Sequence, residues 1–565
     1  MAPPSPPDRK DEFQPPLISL SIAGLMGGAT YWLTEDGARY SELLPLAAVY
    51  TGWHTLKYTV KAVADHHKLA SHRKKIKKFH ARAQEHGGSG IATAADIERS
   101  EYLSWEQGVY IGQIKTAKGD LRHLFAAGNY HISVIAPAGQ QKTMAIVVPS
   151  LLRWRWEQGH LLVNDPSGEI LALCRDYLES IGFRVVICTA FPEELNRLTR
   201  PKKRIEDARL DIFSALRDRE LLPSMIREVL TQAMTWLCRE KAGASEESLF
   251  FLRAGRLLGV FLAMHDLVEG RHPNLVTMRQ TLMRGVEGLK QLFYDAADQR
   301  DAFDGVYAET ALSLSSMIET AGPQFAGGFG VCEQALEKYD HFSSLGRHVS
   351  GATHDPADFS DPSQRVAYFV SCPPAKMKAF SDTTAMTLSY LLDTIASHNS
   401  PVATTAFIDE AGSLALPGLA DSMNFYRKMA NLRLVLIWQD LFGQAEEKYG
   451  KAVVRQLMSG SLMKLLLGVV EPQTLQMASA LTGKRATLDS TINDNHGNPS
   501  NLAPVGQSFT HKTRATMEAD EIRQMQTDQL LAIVGNVKPI VVQKTPYWRQ
   551  PELADRAGPS PYHKG

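Results

Sequence analysis

Residues 131–152 read HISVIAPAGQQKTMAIVVPSLL: a short apolar run, an eight-residue loop, and an apolar stretch that continues as a helix. The loop residues Ala136, Pro137, Ala138, Gly139, Gln140, Gln141, Lys142 and Thr143 fill the frame of a phosphate-binding loop, G-x-x-x-x-G-K-[ST]. In such a loop the backbone N–H groups wrap a phosphate, the lysine reaches the β and γ oxygens, and the hydroxyl binds Mg²⁺. Lysine and hydroxyl are intact here, but Ala136 and Gln141 stand where the two glycines belong. If Gln141 must adopt a positive φ, its Cβ costs about 1–2 kcal/mol. A strand before the loop and a helix after it are what the motif requires, because the helix start aims its N–H groups and positive dipole end at the phosphate.

Outward from this loop, short β-rich runs alternate with helical stretches: 160–165, 184–189, 366–371, 404–409, 432–438, 464–470, 530–535 and 539–544, with 131–135 as the loop's own strand. Several are continuously apolar, as strands buried on both faces must be, so the expected fold class is α/β, a mostly parallel sheet covered by helices. From 211 to 344 no such run appears. Leu222, Met225, Ile226, Val229, Leu230, Ala233 and Leu237 recur at helical spacing, as do Leu249, Phe250, Ala254, Leu257, Leu258, Phe261 and Leu262, which predicts an inserted all-helical domain. The methionines of this stretch (225, 234, 264, 278 and 283) are expected as core filler.

Two further strand ends carry chemistry. Thr404 to Ala411 (TTAFIDEA) is an apolar strand ending in two acids. Asp409 there can hold Mg²⁺ and Glu410 can orient and deprotonate an attacking water; a solvated turn is the other reading of the same pair. Ile437-Trp438-Gln439 ends the next buried strand in an amide, suited to sensing a γ-phosphate or to capping the following helix. In parallel sheets ligands bind at the carboxyl edge of the strands, where loop, acids and amide all fall. The predicted catalytic residues are thus Glu410 and Gln439, the Mg²⁺ ligands Thr143 and Asp409, and the nucleotide is cradled by 136–143.

Equal numbers of basic and acidic residues, 61 each, make any nucleic-acid surface a local patch rather than a global field. The runs 73–78 and 200–204 are basic, the first suited to anionic lipid and the second to a solvated loop or a DNA contact. The five cysteines lie far apart without a C-x-x-C pair, which predicts buried free thiols. Near the N-terminus, Leu17 to Leu33 and the weaker Leu43 to Val63 are apolar, joined by an acidic connection and followed by the densely basic 66–82. That asymmetry predicts a transmembrane helical hairpin with both termini on the cytoplasmic side. The expected organisation is a Pro-rich tail (1–16), the hairpin (17–64), a basic linker (65–100), a nucleotide-binding domain in two parts (101–210 and 345–549) around the all-helical domain (211–344), and a flexible tail (550–565).

The succession IAPAGQQKT, VVPSLL, LLVNDPSGE, AYFVSCPP, FIDEAGSLALPGL and LVLIWQDL resembles the type IV coupling proteins of the TraG/TraD class, over roughly residues 108–547. The resemblance implies a RecA-like ATPase assembled as a homohexamer on the bacterial inner membrane, with most of the chain cytoplasmic. It also implies ATP and Mg²⁺ as ligands, and as partners DNA bound without sequence preference, relaxase and relaxosome or secreted effectors, inner-membrane secretion components and membrane lipid. It assigns Lys142 and Thr143 to phosphate and Mg²⁺, Asp409 and Glu410 to the Walker B pair, and Gln439 to the sensor. Ser167 stands where such proteins usually carry lysine in D-P-K-G-E. An intersubunit arginine finger is implied as well, with Arg427 and Arg433 as candidates. The leading expectation is a motor that drives DNA or protein through a type IV secretion machine; the alternative is a non-hydrolysing substrate receptor with a decayed loop.

Overall fold

The structure, a computed structural model, describes residues 90–562 apart from 117–118, 218–220, 399, 430 and 494–505, together with 48–61 and positions 63, 64, 67 and 74. Residues 1–88 and 89–565 are separate compact units. In the first unit, 48–61 is helical and exposes Val49, Tyr50, Trp53, Leu56, Tyr58 and Val60. The apolar stretch 17–33 and most of the basic run 66–82 lie outside the described residues.

The second unit is built on a 12-stranded sheet. Its strands are β1 (Leu103–Ser104), β2 (Val109–Lys115), β3 (Leu121–Ala126), β4 (Ile132–Ile135), β5 (His160–Asp165), β6 (Arg184–Cys188), β7 (Val366–Ser371), β8 (Thr404–Ile408), β9 (Leu432–Trp438) and β10 (Met463–Leu466). After a separate antiparallel hairpin, β11 (Lys484–Asn493) and β12 (Gly506–Ala515), the sheet resumes with β13 (Gln529–Val534) and β14 (Ile540–Gln543). The order is β1-β3-β2-β14-β13-β10-β4-β9-β8-β5-β7-β6. From β10 to β6 every pairing is parallel. From β10 back to β1 every pairing is antiparallel. The sheet is therefore mixed, where a mostly parallel one was expected.

Side chains of the parallel strands alternate between two cores, one on each face. Ile132, Val134, Leu161 and Val163 point into a core with the loop helix and the helix Glu169–Ser180. Ile135 and Leu162 point into a larger core that continues through the helices between β6 and β7. Both faces being covered is why these strands read as unbroken apolar runs.

Among the described residues, the segment between β6 and β7 contains helices and no strand. At its centre runs Glu246–Val268, long and apolar enough to cross a membrane by length and composition, but with most of its apolar residues packed inside the unit. Of the methionines expected there as filler, Met234, Met264 and Met278 are buried, whereas Met225 and Met283 are exposed, as are Leu222 and Phe250 of the two stripes. The helical segment shares its core with the sheet, so its outer stripes are partly solvent-facing.

Two boundaries differ from those read in the sequence. The helix Ala94–Glu98, assigned there to the basic linker, carries a Thr93–Asp96 capping box and buries Ile97, and Ala92 N–H donates to the Pro539 carbonyl at 2.9 Å. The tail expected to be flexible packs instead. Leu553 is fully buried, Gly558 N–H donates to Leu173 O at 2.9 Å, and Arg556 donates to Leu152 O at 3.0 Å while lying over the Tyr177 ring. A segment without periodic pattern is thus fixed by one apolar anchor and by backbone carbonyls of two helices, which sequence pattern does not reveal.

Candidate active site

β4 ends at Ile135, and Ala136 continues its ladder by donating to Trp438 O at 2.9 Å. Ala136 is fully buried and not at positive φ, so alanine replaces the first glycine inside the core without backbone strain. Gln141 is different: its φ is 57°, the left-handed region where glycine is favoured, and Gly139 has φ 80°. Gln141 keeps the loop's shape at the cost of its Cβ, with its side chain exposed to solvent. The helix then opens with a wide π-helical turn, Thr143–Val147, in which Val148 N–H reaches back to Thr143 O. Pro149 has no N–H for a regular α-helical bond at this point, which favours the wide turn.

Loop, acids and amide meet at the carboxyl edge of β4, β8 and β9. Lys142 Nζ donates to Glu410 Oε1 at 3.2 Å, with both side chains largely buried. Thr143 Oγ1 donates to Asp409 Oδ2 at 2.9 Å. Gln439 Nε2 donates to the same Glu410 oxygen. Helix capping after β9 falls to Asp440, which accepts from Gly443 N–H at 2.8 Å and Gln444 N–H at 3.2 Å. Gln439 itself faces the acid. Glu410 itself has φ 57° and Asp409 Oδ1 accepts its N–H at 3.0 Å, so strained backbone holds the carboxylate where lysine and amide reach it.

The strand beyond, β5, adds residues to which sequence pattern assigns no site role. Asn164 is buried and its Nδ2 donates to the Asp409 carbonyl at 2.6 Å, fixing the turn that presents Asp409. Asp165 is fully buried, with Oδ2 accepting Leu171 N–H at 2.8 Å and Oδ1 accepting Ser167 Oγ at 3.2 Å, so the D-P-S-G-E element caps the helix Glu169–Ser180. Burial pushes the Asp409 carboxyl up to about 6, with Lys142 opposing and Glu410 reinforcing the shift. Burial does the same to Asp165, also to about 6, against its backbone hydrogen bonds. Asp409 and the Thr143 hydroxyl bonded to it are oxygen donors suited to a hard divalent cation, which favours the charged form of the acid. Beside Glu410 lies a cavity of about 340 Å³ bordered by Asn164, Pro166, Cys372, Lys378 and Lys448.

Other sequence candidates fall elsewhere. Arg433 is buried within β9, donating to Gly128 O at 2.8 Å and to Thr405 Oγ1 at 3.1 Å, so its guanidinium is spent on internal bonds. Arg427 is exposed over the Tyr130 ring. In the basic run 200–204, Lys202 pairs with Asp176 at 2.8 Å and Arg204 pairs with Glu193. All five cysteines are buried free thiols.

The chain is 20% identical over 447 residues to the conjugal transfer protein TraG of Rhizobium radiobacter, covering 76% of this chain and 64% of TraG. It is 20% identical to TraG of Agrobacterium fabrum over 77% of this chain and 63% of that protein, so it spans somewhat under two thirds of these relatives. The fold is that of the bacterial conjugative coupling protein TrwB lacking its first 70 residues, solved with sulphate: TM-score 0.57, 16% identity, covering 81% of this chain and 94% of the other. TrwB in complex with ADP and Mg²⁺ matches at TM-score 0.56 and 16% identity, covering 82% and 96%. The family model for type IV secretory system conjugative DNA transfer matches residues 90–564, and the chain belongs to that family as a type IV coupling protein of the TraG/TraD class.

Proposed function

We propose that this coupling protein binds ATP with Mg²⁺ at the 136–143 loop and hydrolyses it to drive substrate transfer. The observation that carries the reading is the convergence of Lys142, Thr143, Asp409, Glu410 and Gln439 through direct hydrogen bonds. Each group has a part. Lys142 leaves Glu410 for the β and γ oxygens, and Glu410, freed of its ion pair, orients the attacking water and takes its proton. Gln439 holds the same carboxylate oxygen and couples its position to the end of β9. Thr143 and Asp409 hold Mg²⁺, which would neutralise charge building on the phosphate oxygens. The solved TrwB complexes with a non-hydrolysable ATP analogue and with ADP and Mg²⁺ support the choice of ligands.

In this reading the chain works as a homohexamer on the cytoplasmic face of the bacterial inner membrane, anchored by the hairpin within 17–64. The helical segment 211–344 receives relaxase and relaxosome or secreted effectors, and DNA is engaged without sequence preference beside the inner-membrane secretion components. The test is ATP turnover by the purified full chain, with and without DNA. Turnover that rises with DNA and is lost in Lys142→Ala supports a motor. Absent turnover, with substrate transfer surviving Lys142→Ala at normal protein level, supports a receptor that docks substrates without hydrolysis.

A further inference from the structure

The loop works with one glycine missing at the position where its backbone still turns left-handed, and the structure contains a device for that. Lys544, directly after β14, is buried at 6% exposure, and its Nζ donates to the carbonyl of Gln140 at 3.1 Å. Its own N–H is fixed to Asp528 O at 2.7 Å, so the ammonium is delivered from a strand on the antiparallel half of the sheet. The Gln140 side chain lies so close over Gly468 that a Cβ there would collide with its amide group. The residue before the strained position is therefore held by its carbonyl, with its side chain packed over a glycine.

A trans peptide is planar, with its C=O and N–H on opposite sides. When the Gln140 carbonyl faces Lys544, the Gln141 N–H must face away from it. Among the described residues that N–H has no protein acceptor, nor does the N–H of Gly139. In a phosphate loop such N–H groups are the ones that take the anion. A flip of the 140–141 peptide would relieve Gln141 of its φ of 57°, withdraw one phosphate donor and strand a buried ammonium without its carbonyl.

We propose that Lys544 is a positioning residue that substitutes for the lost glycine, holding the 140–141 peptide so that the Gln141 N–H points at the nucleotide phosphates. This rests on the nucleotide reading above, since it assigns the loop's N–H groups to a phosphate. It goes beyond that reading by making a residue 404 positions away part of the loop. A charge-assisted bond is required because a glutamine at this φ is disfavoured, where a glycine would not be.

The experiment is equilibrium titration of a fluorescent ATP analogue with Mg²⁺ into the purified full chain, in four forms: wild type, Lys544→Met, Gln141→Gly and the double variant, with Lys142→Ala as reference. The expected result is a loss of about tenfold in affinity for Lys544→Met, and most of that loss absent when Gln141→Gly is also present. Unfolding midpoints run alongside: a merely structural lysine would lower them equally in both backgrounds and show no rescue of binding. If Lys544→Met does not fold, Lys544→Gln, which retains a neutral donor, takes its place in the same cycle. An equal loss in both backgrounds, or no loss in wild type, overturns the inference while leaving nucleotide binding intact. If wild type binds no better than Lys142→Ala, the nucleotide reading fails first and the inference falls with it.

Discussion

Replacing Glu410 by glutamine separates the two jobs proposed for one carboxylate, partner of Lys142 and general base. Its Oε1 accepts from Lys142 at 3.2 Å and also from Gln439, with side-chain exposures of only 9% for Lys142 and 19% for Glu410. Phosphate must therefore displace an internal partner of Lys142 before that lysine contributes to binding. A hydrogen bond to a charged group is worth about 1.5–3 kcal/mol. Glutamine keeps a carbonyl for Lys142 but not the charge, so about half of that competition disappears, roughly 0.8–1.5 kcal/mol. At 1.4 kcal/mol per decade, ATP affinity should rise about 3- to 12-fold. Loss of the general base should cut turnover by about 10²–10⁴-fold. Titration of a fluorescent ATP analogue with Mg²⁺, paired with phosphate release at saturating ATP, reads both quantities on the same preparation. Affinity that is unchanged or weaker in Glu410→Gln would refute the competition argument. Turnover within tenfold of wild type would refute the assignment of the base.

Asn164→Ala removes the donor to the Asp409 carbonyl and should lower stability by about 1–3 kcal/mol, read as a shifted urea midpoint; no shift would mean that the turn before Glu410 needs no support from β5. His131 is buried, donating from Nε2 to Met423 O at 2.7 Å and accepting Leu434 N–H on Nδ1 at 3.0 Å, and burial lowers its pKa to about 4. Below its ordinary value of about 6.5 the unfolded chain takes up a proton that the folded one refuses, so this residue should withdraw about 3 kcal/mol of stability as pH falls from 6.5 to 4. Asp165 and Asp409 act with the opposite sign, their contribution being present at low pH and lost as pH rises through about 6. The His131 effect is therefore read from the difference between wild type and His131→Gln across that window, and a constant difference would refute it. Mg²⁺ affinity in the presence of nucleotide should fall as pH drops below about 6, because protons then compete for Asp409; a flat profile from pH 5 to 7 would exclude Asp409 as a ligand. Leu553→Ala should cost about 2–5 kcal/mol if the tail is packed as described, and a change under 0.5 kcal/mol would mean that it is not.

How far the sequence could be read depended on what covers each strand. β4, β8 and β9 are buried on both faces, so they stand out as apolar runs, and the residues just past their ends, Lys142, Glu410 and Gln439, come together because parallel strands end on the same edge. β3, by contrast, begins with exposed Leu121 and Arg122, and β1 has two residues, so neither resembles a buried strand. The β11–β12 hairpin, KRATLDSTIN against GQSFTHKTRA, scatters Leu488, Ile492 and Phe509 among polar residues and so gives no continuous apolar run. Asn164 had a faint local signal, a polar side chain at the end of an apolar strand, but its partner lies 245 positions away. Lys544 had none: a lysine after a strand is an ordinary surface residue until the sheet order places β14 on the far side of the loop.

The two missing glycines therefore do not weigh equally. Ala136 continues a strand inside the core, where a methyl group is accommodated and φ is ordinary, so its presence says little about activity. Gln141 keeps the left-handed turn that glycine would adopt without cost, and a decayed loop under no constraint would be free to relax out of it. Retention of that turn demands compensation from elsewhere, and the bond from Lys544 to the Gln140 carbonyl supplies it. A strained backbone with its support in place, beside a lysine already paired to the acid it must leave, is what the proposed reading of a site that binds phosphate and cycles requires. The receptor alternative then has to explain why strain and support were both kept, and the Gln141–Lys544 double-variant cycle addresses that question without depending on turnover.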